Sequence, residues 1–184
     1  MNRQTLKTGL AVIALAIAAP AAAQDMSAFR TGPVFEDFGP HTPVEGIGQV
    51  PADTEFSIAF DVARAADADT RNRGFESAAR FINMHVAAGV PEDNIRVAVV
   101  IHGAALRDLL TDEAYAAKGF GETNPSGSMV RAMLEQGVRF IVCGQSAAGS
   151  GIAHGEMIPG VEMSLSAMTA HALLQQRGYT VNPF

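Results

Sequence analysis

The sequence predicts an α/β domain in which a mainly parallel sheet is covered by helices. From Phe56 to the C-terminus, short apolar runs alternate with stretches of helical period, the pattern of strand and crossover helix in turn. One run, Ile95-Arg96-Val97-Ala98-Val99-Val100-Ile101, is almost uniformly apolar, as befits a central strand covered on both faces. Glycines at 89, 137 and 178 close the helical stretches, where a left-handed residue ends a helix at least cost.

The chain opens on a segment of another kind. Arg3 and Lys7 precede the apolar run Leu10 to Ile17, and Pro20 and Ala21-Ala22-Ala23 follow. Basic, apolar and small-residue parts in that order read as a secretory signal peptide over residues 1–23, cleaved after Ala23. The run is shorter than the ~20 apolar residues that a membrane span requires. The expectation is export, most simply to a bacterial periplasm, with no membrane attachment after cleavage. Residues 24–54 are broken by Gly32-Pro33, Gly39-Pro40, Pro43, Gly46, Gly48 and Pro51, and so read as an extended arm. Phe29, Val34, Phe35 and Phe38 give this arm something to bury, against the domain or a neighbouring subunit.

The domain proper spans 55–184. Phe56, Ile58, Phe60 and Val62 alternate with Ser57, Ala59 and Asp61 as a first strand. Phe75, Ala78, Ala79, Ile82 and Val86 share one helical face, and residues 95–101 form the second strand. Two helical pieces follow, near 104–110 and 112–117, the second capped by Thr111 or Asp112. Asn124-Pro125 offers a cap and a first-turn proline for a helix carrying Met129, Val130, Met133 and Leu134. Val138 to Cys143 is the third strand and Val161 to Leu165 the fourth. Ser166 to Arg177 is a helix and Tyr179 to Val181 a fifth strand, with Pro183 suited to an edge or terminus.

Cleavage after Ala23 leaves 161 of the 184 residues, enough for one domain with its own core. Losing Arg3 and Lys7 moves the net charge from −6 to −8, and no Lys/Arg cluster is present, which argues against nucleic acid or an anionic membrane surface as a partner. No P-loop pattern accompanies Gly149, Gly151 and Gly155, and the sequence carries no motif that demands a cofactor.

Parallel strands end on one edge of a sheet, where open α/β folds place their sites. The residues that end these strands are Asp61, His102, Cys143 and Ser164 or Ser166. Cys143 is the only cysteine, so an intramolecular disulfide is excluded; the thiol is buried packing, reactive, metal-bound or paired with a partner. A helix starting at Gly144-Gln145-Ser146 would direct free N–H groups at the sulfur and favour thiolate. His102 is either a proton acceptor for that thiol or a hydrogen-bonded strand-end residue, Ser166 either a donor to it or an N-cap, and Asp61 a site carboxylate or a turn former. His102, Cys143 and His154 form a metal set only if the glycine-rich loop folds back, and no close ligand spacing supports one. Met157 and Met163 near the same edge are copper(I) ligands or filler. His41, His85 and His171 read as structural or solvent-facing.

The segments IRVAVVIHG (from Ile95), GVRFIVCGQSAAGSGI (from Gly137) and MIPGVEMSLSAMTAHALLQQRGY (from Met157), in this order and spacing, resemble the DsrE/DsrF-like family of sulfur-oxidation and sulfur-relay proteins. The resemblance covers Phe56 to Phe184. It implies a flavodoxin-like three-layer domain with a five-stranded, mainly parallel sheet, assembled as a homotrimer or hexamer. It also implies a cysteine after the third strand that carries sulfur as a persulfide, the position held here by Cys143, with sulfur donor and acceptor proteins as partners. Relatives that thiolate tRNA work in the cytoplasm, and the export signal sets this chain apart from them. The expected role is an exported sulfur carrier, with Cys143 and His102 as chemical groups and Gly144, Gln145, Ser146 and Ser166 around them. The alternatives are a non-catalytic oligomeric module binding a small ligand, soft metal or partner thiol in the same crevice, or a structural subunit whose cysteine is buried.

Overall fold

The structure, a computed structural model, describes residues 27–46, 50, 51 and 53–182; the signal segment and Pro183 lie outside the described residues. Five strands, β1 (Phe56–Val62), β2 (Ile95–Ile101), β3 (Arg139–Cys143), β4 (Glu162–Ser164) and β5 (Thr180–Asn182), form one sheet in the order β4-β3-β2-β1-β5. Every pairing is parallel, so the sheet is wholly rather than mainly parallel. The helices are α1 (Arg73–Ala87), α2 (Asp112–Ala117), α3 (Gly127–Glu135), α4 (Gly144–Gly149) and α5 (Ala167–Gln176).

The strand order decides which face each helix covers. From β1 to β4 the chain steps across the sheet in one direction, and right-handed crossovers then put α1, α3 and α4 on the same face. The step from β4 to β5 runs back across the whole sheet, which puts α5 on the other face. The core divides accordingly. Ile58, Phe60, Val62, Val97, Val99, Ile101, Phe140 and Val142 point towards Phe75, Ala78, Ala79, Ile82, Met129, Val130 and Met133. The opposite face is thinner, with Ala59, Ala98, Val100 and Ile141 under Ala170 and Leu174 of α5.

The helical piece expected near 104–110 is present, in the tighter 3-10 form. Gly103–Leu109 is a run of 3-10 turns. The carbonyls of Asp108 and Leu110 accept from the Asn124 side chain, and that of Leu109 accepts from the backbone of Ile158. These carbonyls end the segment, where no helical N–H reaches them, and partners elsewhere in the chain satisfy them instead. The same Asn124 is therefore not the cap of α3. Its Oδ1 accepts from the Ser126 N–H at 3.0 Å, and the helix starts at Gly127 with Ser126 in the capping position.

The arm lies along α1. Asn83, fully buried, accepts from the N–H groups of Val34 and Phe35 at 3.1 and 2.9 Å and donates to the carbonyls of Phe35, Phe38 and Gly39 at 3.0 to 3.1 Å. Phe35 and Phe38 stack on each other and join the main core. Gly39 has φ +69°, and a Cβ there would fall 2.8 Å from the backbone of Ala79, so the arm approaches α1 as only glycine allows.

Candidate functional site

Register brings the strand-end residues together. Ile101 pairs with Val142, so His102 and Cys143 follow as the next neighbours on β2 and β3, and Cys143 pairs with Ser164 on β4. Val100 and Ile141 face α5. Two residues further on, with the backbone of His102 still extended, His102 and Cys143 face the same way. Asp61, opposite Val100 on β1, shares that face. The sheet edge under the start of α5 thus carries one residue from each of four strand ends.

Cys143 itself caps α4, its sulfur accepting from the Ser146 N–H at 3.4 Å. Burial pushes the thiol up, since only 6% of the residue is exposed. The Ser146 hydroxyl and the N–H groups of Ser146, Ala167 and Gln145 outweigh that and bring the thiol below its ordinary value. Ala167 opens α5 and Gln145 lies in the first turn of α4, so the sulfur sits where two helix starts meet. The approach is close: a Cβ on Gly144 would lie 2.7 Å from the Ser164 carbonyl oxygen. Gln145 donates to the Leu165 carbonyl at 3.4 Å and ties the β4–α5 connection over the sulfur. The Ser146 hydroxyl also accepts from the Gly103 N–H at 3.2 Å, linking the sulfur loop to the one after β2.

Ser166 turns its hydroxyl to Thr169 and caps α5; its neighbour Ala167 supplies the donor to sulfur. His102 engages a carboxylate, its Nε2 lying 3.1 Å from Asp61 Oδ2. His171, expected to be structural or solvent-facing, places its Nε2 2.7 Å from Asp61 Oδ1. Asp61 therefore stands between two imidazoles. Burial raises its carboxyl, but the hydrogen bonds from His171 and His102 prevail and hold it below the ordinary carboxylate value. The sequence signal for His171 was its spacing. Ala167, Ala170, His171 and Leu174 form an i, i+3, i+4, i+7 stripe, and Ala170 and Leu174 are buried against the sheet.

His154 is directed elsewhere, to the Val161 carbonyl at 2.7 Å, and among the described residues no group of three or more His, Cys, Asp or Glu is arranged to hold a metal. His85 bonds the Phe81 carbonyl and His41 that of Gly32. A cavity of about 550 Å³ is lined by Asp61, Arg64, Thr70, Asn72 and Arg73 among others.

The sequence model of the DsrE/DsrF-like family matches residues 48–183. A protein of unknown function, MTH1491 from Methanobacterium thermoautotrophicum, superposes with a TM-score of 0.48 at 19% identity, over 71% of this chain and all of its own. The YchN protein of E. coli superposes with a TM-score of 0.43 at 20% identity, over 70% of this chain and all of its own. No curated protein matches this sequence.

Proposed function

We propose, since this chain belongs to the DsrE/DsrF-like family of sulfur-relay proteins, that it carries sulfane sulfur as a persulfide on Cys143. The observation that supports this reading is the convergence of the α4 and α5 starts on one thiol, whose proton is held less tightly than usual. The thiolate attacks the outer sulfur of a persulfide donor, R–S–SH. A bond forms between Cys143 Sγ and that sulfur, the donor S–S bond breaks, and R–S⁻ leaves and takes up the proton that Cys143 gave. The products are Cys143–S–SH and R–SH, with no net oxidation or reduction. An acceptor thiolate reverses the chemistry and takes the outer sulfur. The signal-like N-terminus supports an exported, periplasmic carrier, and members of the family form oligomers, here read as a homotrimer or hexamer.

Intact mass spectra of wild type and Cys143→Ser after polysulfide exposure test the reading. Mass gains in steps of one sulfur, reversed by a thiol reductant and absent from a folded Cys143→Ser protein, are the expected result; equal loading of the variant would sink it. The cavity beside Asp61 favours a second reading, a module that binds a small ligand without transferring sulfur. That reading predicts a ligand-dependent rise in Tm in a protein that refuses sulfur.

A further inference from the structure

We propose that Asp61 and His171 are positioning residues that fix His102 in the tautomer able to take the proton from Cys143 and return it. The inference rests on the sulfur-carrier reading for its purpose, though its geometry stands apart from it. Both oxygens of Asp61 are occupied, Oδ2 by His102 Nε2 at 3.1 Å and Oδ1 by His171 Nε2 at 2.7 Å. An ionised carboxylate only accepts, so each Nε2 must carry its hydrogen. In the neutral ring that leaves His102 Nδ1 bare, a proton acceptor on the strand next to Cys143 and on the same face. His171 Nδ1 is buried and finds no hydrogen-bonding partner among the described residues. Its one hydrogen bond from the ring is the one to Asp61, so the geometry gives His171 the task of holding that carboxylate. The charged and titratable groups near His102 are then Asp61 from β1, bonded to its Nε2, His171 from α5 on the same carboxylate, and Cys143 at the adjacent strand end, with Arg64 and Arg73 lining a cavity that Asp61 also lines.

The proton inventory closes within this group. Cys143 S–H passes its hydrogen to His102 Nδ1, giving thiolate and an imidazolium balanced by Asp61. After Sγ has bonded to the outer sulfur of R–S–SH and the donor S–S bond has broken, R–S⁻ recovers that hydrogen from Nδ1. His102 and Asp61 return to their starting states, and no outside oxidant or reductant is consumed.

The test is the pH profile of Cys143 alkylation by iodoacetamide in the full chain, for wild type, Asp61→Asn, His171→Leu and His171→Gln, with histidine side-chain ¹⁵N shifts of wild type. The expected wild-type spectrum shows His102 with hydrogen on Nε2. Asp61→Asn and His171→Leu raise the alkylation midpoint by about one pH unit and leave the high-pH plateau unchanged, whereas general damage to the fold moves the plateau. His171→Gln, whose amide N–H can stand in for Nε2–H, restores the wild-type midpoint. Midpoints that coincide in all four proteins, or a wild-type His102 with hydrogen on Nδ1, overturn the proposal. The spectrum needs no variant, so the question is decided even if Asp61→Asn fails to fold. Polysulfide loading of wild type separates the two readings. A protein that refuses sulfur but shifts its midpoint keeps the relay and loses the carrier role, and one that loads sulfur with an unmoved midpoint loses the relay alone.

Discussion

At the scale of the residue, the chemistry turns on Ser146. Its N–H and hydroxyl both stabilise the Cys143 thiolate, and the hydroxyl is the first of the contacts that oppose burial. Ser146→Ala removes that contact and leaves the sulfur as buried as before. The thiol midpoint should therefore rise, by about one pH unit. The sign matters for the readout. Below the midpoint the variant holds less thiolate than wild type, so alkylation and polysulfide loading slow; well above the midpoint the two proteins react alike. A rate deficit that persists at high pH would instead mean lost access to the sulfur. Cys143 and His102 were legible in the sequence because strand ends in a parallel sheet share one edge. His171 was not, because its role depends on α5 crossing to the face that Asp61 occupies, and that follows from strand order rather than local pattern.

At the scale of the element, the strands were read to within one residue because their apolar runs are bounded by polar loops, and parallel pairing accepts such runs directly. The helical pieces were read less well where side chains intercept backbone groups. Asn124 shows why: its composition and position fit a helix cap, yet its amide is spent on the carbonyls of Asp108 and Leu110. Asp108 is another buried polar group with a tertiary task, accepting from the Ala66 N–H at 2.7 Å and the Asn72 amide at 2.6 Å. Burial raises its carboxyl despite those bonds. Asn83 does the corresponding work for the arm, and its five hydrogen bonds reach segments more than forty residues away. Asn83→Ala strands buried N–H and C=O groups of residues 34–39 and should cost roughly 3 kcal/mol in denaturant unfolding. Limited proteolysis should then cut within residues 30–45 before the rest of the domain. Unchanged stability with an intact arm would mean that the stacked Phe35 and Phe38 hold it unaided.

At the scale of the whole molecule, the strand order leaves the two faces of the sheet unequal. Among the described residues one is covered by α1, α3 and α4 and the other by α5, and four of the eight large apolar side chains left in water lie on β4, on α5 or between them. Leu165 is 71% exposed and Met168 80%, with Met163 and Leu173 also exposed. Leu165 and Met168 flank Ala167, whose N–H reaches the sulfur, so this apolar surface adjoins the Cys143 crevice. Among the described residues nothing covers these side chains, and self-association through this face would take them out of water. The double variant Leu165→Glu/Met168→Glu replaces both with charges at positions that carry no core packing, so the fold should be retained by circular dichroism. In sedimentation velocity the wild type should run as an oligomer and the variant as a smaller species. If both run as the same oligomer, the assembly uses another surface, and the exposed rim of the crevice is left for a donor or acceptor protein to cover.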